Sequence, residues 1–219
     1  MDKFELIIGN KTYSSWSLRP WLVLKHVGTV FSESRVVLYV PGFKREILRH
    51  SGAGRVPVLK HGALTIWDSL AICEYLAEQY PDARLWPESA EARAEARSLS
   101  AEMHSGFSLI RSLMPFNCRA EGRRVIRGPD VDGEIARVEE IWNSCRGRHK
   151  TAGPWLFGRF TIADAMYAPV ALRFVTYGVQ LKGAAREYIA TVQAHLPVQE
   201  WIADARQEKE FMESSEVGR

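Results

Sequence analysis

Apolar residues fall into two rhythms along the first eighty positions. Phe4, Leu6, Ile7 and Ile8 make a short apolar run, as a buried strand does. Leu18, Trp21, Leu22 and Lys25 then keep the three- and four-residue spacing of one helix face, with Lys25 at its edge. A second strand is expected within residues 31–39, on Val36, Val37, Leu38 and Tyr39. Residues 58–60 and 64–67 flank His61-Gly62, a turn signal, and read as a hairpin. Leu70, Cys73, Leu76, Ala77 and Tyr80 mark an amphipathic helix.

The resulting order, βαβ followed by ββα, is the thioredoxin-like arrangement. "YPDARLWPES", residues 80–89, interrupts the pattern with two prolines. The expected organisation is therefore an α/β domain over residues 1–80, a linker over 81–88 and a second domain over 89–219. Strand signals vanish in that second part. Residues 89–117, 131–149, 161–177, 184–195 and 197–210 all favour helix, which predicts an all-α domain. The polar tail after Met212 is expected to fray.

Composition narrows the function. With 46% apolar and 25% charged residues, the 219-residue chain has the make-up of a globular protein and is long enough to bury a sizeable core. A net charge of +3 without any long block of like charge gives no electrostatic footprint for nucleic acid. Cys73, Cys118 and Cys145 are an odd count with no CxxC, which argues against a disulfide framework and a thioredoxin-type redox centre. The six histidines show no HExxH spacing, so no metal is expected. No apolar run reaches the ~18 residues of a membrane span, and the N-terminus lacks a signal-peptide core. A cytoplasmic protein that binds no membrane is expected.

Four stretches carry candidate chemistry. "TYSSWSLRP", residues 12–20, places Ser14, Ser15 and Ser17 where the first helix begins. Serines there are ordinary N-caps. The same geometry, with free N–H groups and the positive end of the helix, also allows a hydroxyl to donate to a bound thiolate. "GRVPVLK", residues 54–60, puts Pro57 at a strand start, where the Val56–Pro57 bond is a candidate cis bond and the Val56 backbone a candidate partner for an extended peptide. "WDSLAICEYL", residues 67–76, opens a helix with Asp68 and Ser69. These are either caps or the receptor of an amino-acid head group, Asp68 for its ammonium and Ser69 for its carboxylate. "FTIADAMYAPVALRF", residues 160–174, contains a capping box, Thr161 and Asp164, and ends near Arg173, a C-terminal charge partner or a carboxylate ligand.

Taken in order, these motifs resemble a cytosolic glutathione transferase over nearly the whole chain. "RVPVLKHGALTIWDSLAICEYLAEQYP", residues 55–81, is the most specific part. "SSWSLRPW" is similar to the serine-type, zeta-like signature S-S-C-S-W-R-V-R, with Trp16 standing in the cysteine position. The resemblance implies a thioredoxin-like domain followed by the all-α domain of such transferases. It makes Ser14 the hydroxyl that meets the glutathione sulfur, with Ser15 as its neighbour and Tyr13 as the competing hydroxyl. Val56 and cis-Pro57 would hold the cysteinyl unit, Asp68 and Ser69 the γ-glutamyl end, and Lys44 and Arg55 the glycine carboxylate. Arg173 falls near the arginine that meets an acidic substrate, while Asn117 and Arg119, in "LMPFNCR", fall on the overhanging wall. The implied function is attack of an activated glutathione thiol on a small electrophile, by conjugation or by isomerisation of an acid of the maleylacetoacetate type. Glutathione is then a cosubstrate, and the implied assembly is a homodimer. A non-catalytic binding or regulatory protein on the same fold is the alternative; a thiol–disulfide oxidoreductase lacks the cysteine it needs at the first helix.

Overall fold

The computed structural model describes residues 3–219. Its N-terminal region runs β1 (Phe4–Ile8), α1 (Ser15–Val27), β2 (Phe31–Arg35), α2 (Phe43–His50), β3 (Val58–His61), β4 (Leu64–Trp67) and α3 (Ser69–Gln79). The four strands lie in the order β2-β1-β3-β4. β1 pairs parallel with β2 and antiparallel with β3, so that Leu6 faces Leu59 across the ladder. β3 and β4 form the hairpin expected around His61-Gly62.

The two-residue alternation of a strand splits the core. Phe4, Leu6 and Ile8 join α1 and α3 in the main core, while Ile7 meets Val36, Ile47 and Val58 on the other face. Two expectations are corrected here. β2 is the more polar stretch FSESR and ends at Arg35, before the apolar run on which the strand was placed. It is an edge strand, so its side chains need not be apolar; Val36 packs into the smaller core and Tyr39 turns the chain with φ +59°. The second correction is α2, a helix in the stretch between residues 39 and 58 where the apolar pattern predicts no element. Phe43 and Ile47, four residues apart, turn its one apolar side inward.

The rest is helical: α4 (Ala90–Ser105), α5 (Ser108–Leu113), α6 (Pro129–His149), α7 (Ile162–Thr176), α8 (Gly183–Ala194) and α9 (Leu196–Gln207). The single helix expected over 89–117 is broken at Gly106. A Cβ there would sit 2.7 Å from the Glu102 carbonyl oxygen, and Phe107 follows in the left-handed region. α7 starts with the expected capping box, in which the Thr161 amide donates to Asp164 Oδ2 at 2.8 Å. Burial pushes the Asp164 carboxyl up to about 6 against these bonds.

α1 is enclosed by α3 on one side and by α7 and α9 of the helical region on the other. At that seam Lys11 Nζ lies 2.7 Å from Glu33 and 2.7 Å from Asp204, beside the rings of Trp21 and Trp201. The tail does not fray. Residues 208–219 return to the start of α1, where the Glu208 carboxylate accepts from the amides of Lys11 and Thr12 at 2.7 and 2.9 Å. Glu216, almost fully buried, meets Arg123 and Tyr13.

His195, between α8 and α9, packs against Trp155 and Phe160, and its buried Nε2 has no partner. Burial holds its imidazole down at about 4, against 6.5 for the free group. Between these values the unfolded chain binds a proton that the folded chain refuses. This contribution to stability is complete above pH 6.5 and shrinks as the pH falls toward 4. Thermal melts across that range should show His195→Phe losing less stability on acidification than the parent chain.

Candidate functional site

A cavity of about 1050 Å³ opens between the two regions, and the N-termini of α1 and α3 both face it. Tyr13, Ser14, Ser15 and Trp16 line it from the start of α1; Arg55, Val56, Pro57, Asp68 and Ser69 line it from the hairpin and α3. Arg111, Phe116 and Arg173 come from the helical region. Most of the residues singled out in the sequence thus converge on one place.

Ser14 is the N-cap of α1. Its Oγ accepts from the Ser17 amide at 3.3 Å and lies 2.7 Å from Ser17 Oγ. Ser15 is the first helical residue, and Arg173 donates to its Oγ at 3.3 Å. The Val56–Pro57 bond is cis, and Val56 precedes the β3 ladder, which begins at Val58. Asp68 caps α3: its Oδ1 accepts from the amides of Leu70 and Ala71 at 2.9 and 3.2 Å. Its backbone, at φ +74°, lies in a region that disfavours side chains. Its other oxygen meets His104 Nε2 at 3.0 Å. Ser69, first in α3, accepts from Arg19 at 3.4 Å.

Several expected residues sit elsewhere. Lys44 is exposed on α2, one position past Phe43, and so points about 100° round the helix from the cavity-lining Phe43 and about 60° from Ile47. Asn117 and Arg119 do not line the cavity; both are consumed in anchoring the tail. Asn117 donates to the Ser215 carbonyl at 3.3 Å, and Arg119 donates to the carbonyls of Glu208 and Glu210 at 2.6 and 2.9 Å. The same anchor engages Tyr13, whose hydroxyl lies 2.8 Å from Glu216 and takes hydrogen bonds from Arg119 and the Met212 amide. Burial also raises the Tyr13 pKa, so this hydroxyl is a poor competitor for a thiolate.

The structure adds Arg19 and Arg111, which the sequence did not mark, and sets them near Arg173, which it did. Arg19 is fully buried, lies 4.2 Å over the Trp16 ring and leaves Nε without a partner. Arg173 is 4% exposed, donates from Nε to the Met114 carbonyl and leaves Nη1 unpartnered. Neither makes a salt bridge among the described residues. Burial first, and then a neighbouring arginine, brings each guanidinium down to about 9, so both remain charged at neutral pH. Arg111 lies 5.5 Å from the centre of the Trp16 ring and, among the described residues, its side chain bonds the His104 carbonyl alone. His104 is held below its ordinary pKa by burial, against the pull of Asp68. Met212, Ser214 and Ser215 of the tail complete the wall. An arginine inside the otherwise apolar run SLRPWLVL was the one available signal for Arg19. Nothing in the local pattern marks Arg111 or the tail.

Comparison with known proteins fits this geometry. The profile of the glutathione S-transferase N-terminal domain matches residues 13–79, and that of the C-terminal domain matches residues 118–206. A maleylacetoacetate isomerase of Rattus norvegicus is 35% identical over 172 residues, 76% of each chain. The chain belongs to the glutathione S-transferase family. A probable maleylacetoacetate isomerase of Caenorhabditis elegans is 34% identical over 99 residues, 45% of each chain, so the match spans about half of that relative. A glutathione transferase homolog from Burkholderia, solved with bound glutathione, superposes with TM-score 0.67 at 27% identity over 94% of this chain and all of that one. A maleyl pyruvate isomerase of the zeta class shares the fold, with TM-score 0.71 at 19% identity over 94% of this chain and all of that one.

Replacing Asp68 separates capping from charge. Asp68→Ala should cost about 1 kcal/mol in denaturant titration, the usual worth of an N-cap, whereas Asp68→Asn should keep nearly all of it.

Proposed function

We propose that this transferase ionises glutathione at the N-terminus of α1 and presents the thiolate to a small electrophile that carries a carboxylate. The observation that carries this reading is a pair of buried arginines at the two helix starts, Arg173 lining the cavity and bonded to Ser15, Arg19 behind its wall and bonded to Ser69, neither of which makes a salt bridge among the described residues. A buried unpaired cation is costly, and an anionic ligand relieves it. Ser15 and Trp16 begin α1 and, among the described residues, their amides have no partner, which suits an anion at the same point.

In this reading Ser14 and Ser15 surround the sulfur. The Val56 backbone, beside Pro57, pairs with the cysteinyl unit. Asp68 takes the γ-glutamyl ammonium, and Ser69 with the start of α3 takes its carboxylate. Arg55, exposed at the rim, meets the glycine carboxylate; Lys44 would have to reach over from α2. Arg111, which lines the cavity beside Trp16, supplies the cation for the electrophile. The thiolate then forms a bond to an electron-poor carbon of a conjugated double bond, whose π pair moves onto the carbonyl oxygen. Conjugation keeps the new bond and takes up a proton from solvent. In isomerisation the carbon–carbon bond, now single, rotates, and the pair returns to re-form the double bond as the thiolate leaves. The rat relative's activity and the cationic cavity favour an unsaturated acid of the maleylacetoacetate type, while Trp16 in place of cysteine favours conjugation.

The reading also divides the chain into a glutathione half, residues 1–80, a linker, 81–88, and an electrophile half, 89–219. It places the protein in the cytoplasm, where its free cysteines stay reduced, and pairs it as a homodimer. Sedimentation equilibrium should give twice the 24.8 kDa chain mass.

Calorimetric titration with reduced glutathione, read alongside thiolate absorbance across pH, tests the core of the proposal. Saturable binding with a bound thiol more acidic than the free one is expected; binding without that shift leaves a carrier, and no binding removes the proposal. Arg111→Gln should slow turnover of a carboxylate electrophile about tenfold, the worth of one charge-assisted hydrogen bond, and leave its methyl ester unaffected.

A further inference from the structure

Three hydroxyls stand near the expected position of the sulfur, and hydrogen-bond accounting separates them. A serine oxygen carries one hydrogen to give and two lone pairs to fill. Ser17 is fully buried. Its Oγ accepts from the Gly9 amide at 3.1 Å and lies 2.7 Å from Ser14 Oγ. Distance alone allows either serine to donate across that contact. Among the described residues, however, Ser17 Oγ has no other acceptor within reach, and a buried hydroxyl without an acceptor is costly. Ser17 therefore gives its hydrogen to Ser14. Ser14 already accepts from the Ser17 amide at 3.3 Å, so both its lone pairs are filled and its own hydrogen is free. Ser14 lines the cavity, and that hydrogen has nowhere to go but there.

Resting on the glutathione reading above, we infer that Ser17 is a positioning residue: a relay from the Gly9 amide through the Ser17 hydroxyl turns the Ser14 hydroxyl outward as the hydrogen-bond donor to the glutathione sulfur. Each link polarises the next, which strengthens the final donor. No covalent bond is made or broken in the relay, and each hydrogen stays on its own oxygen or nitrogen.

Gly9 supports this independently. A Cβ built there would lie 2.5 Å from Leu38 Cδ1 and 3.2 Å from Ser14 Cβ. A side chain at position 9 would press on Leu38 and crowd Ser14, so glycine suits the close approach of this segment to α1 from which its amide donates to Ser17. Ser15 differs: its oxygen accepts from Arg173 alone, at 3.3 Å, so one lone pair is unfilled and its hydrogen is not committed to one direction.

The test is the pKa of the glutathione thiol bound to each variant, followed by thiolate absorbance, together with the dissociation constant. Ser17→Ala removes the hydrogen that fills Ser14 and should raise the bound thiol pKa by about half a unit to one unit, with glutathione affinity at low pH kept within twofold. Ser17→Thr, which retains the hydroxyl, should restore the parent value. Ser14→Ala should raise the pKa at least as much, and the double variant Ser14→Ala/Ser17→Ala no further than Ser14→Ala alone. If Ser17→Ala fails to fold, Ser17→Cys offers a weaker donor of similar size and should give a smaller shift of the same sign.

An unchanged thiol pKa in folded Ser17→Ala overturns the relay, because a purely structural serine lowers stability without moving the thiol. A larger rise for Ser15→Ala than for Ser14→Ala also overturns it and assigns the donor role to Ser15. Absence of glutathione binding in the parent chain removes the functional reading itself, and the relay with it.

Discussion

The enclosure of α1 is the constraint on which the molecule depends. An ordinary surface helix shows one face to the core and one to water. From Ser15 to Leu24, α1 shows water almost nothing, because α3 packs on one side and α7 and α9 on the other. Its polar residues, Ser14, Ser15, Ser17 and Arg19, are therefore held in place by packing as much as by hydrogen bonds. A rigid helix start with unspent donors results. This is what a site needs if it is to stabilise negative charge without reorganising.

Enclosure has an electrostatic consequence. Arg19 goes under with its helix, and Arg173 goes under with α7, which is buried on every side. Neither finds a carboxylate, and each spends part of its guanidinium on a serine at a helix start, Ser69 or Ser15. Charges left this way reduce stability in the empty protein. They become favourable once an anion enters, so the cost in folding and the affinity for an acidic peptide share one origin.

The C-terminal segment closes the remaining side. Glu208, Glu210 and Glu216 meet Lys11, Arg35, Arg119 and Arg123 across nearly the whole length of the chain. This network holds Asn117 and Arg119 off the cavity wall, ties up the hydroxyl of Tyr13 on that wall, and adds Met212, Ser214 and Ser215 to it. The helical region thus shapes the site by occupying candidate residues as much as by supplying them.

Local pattern alone determined the strands at residues 4–8 and 58–67, α1, α3 and the capping box of α7. In each of these the periodicity, the turn residues and the caps agree, and no distant contact is needed to choose among alternatives. The motif positions Ser14, Ser15, Val56, Asp68 and Ser69 were legible for the same reason: each is tied to the end of a local element. Tertiary structure decided the rest. β2 is polar because it lies at the sheet edge, α2 reads as a loop until its two apolar residues meet the sheet, and Gly106 breaks a helix that its neighbours favour. Lys44 faces outward by its place on α2, and the tail is fixed by ion pairs to Arg35, Arg119 and Arg123, all far earlier in the chain. Arg19, Arg111 and Arg173 show the limit most clearly. A sequence marks an arginine as charged, but only packing reveals that no carboxylate was brought to meet it.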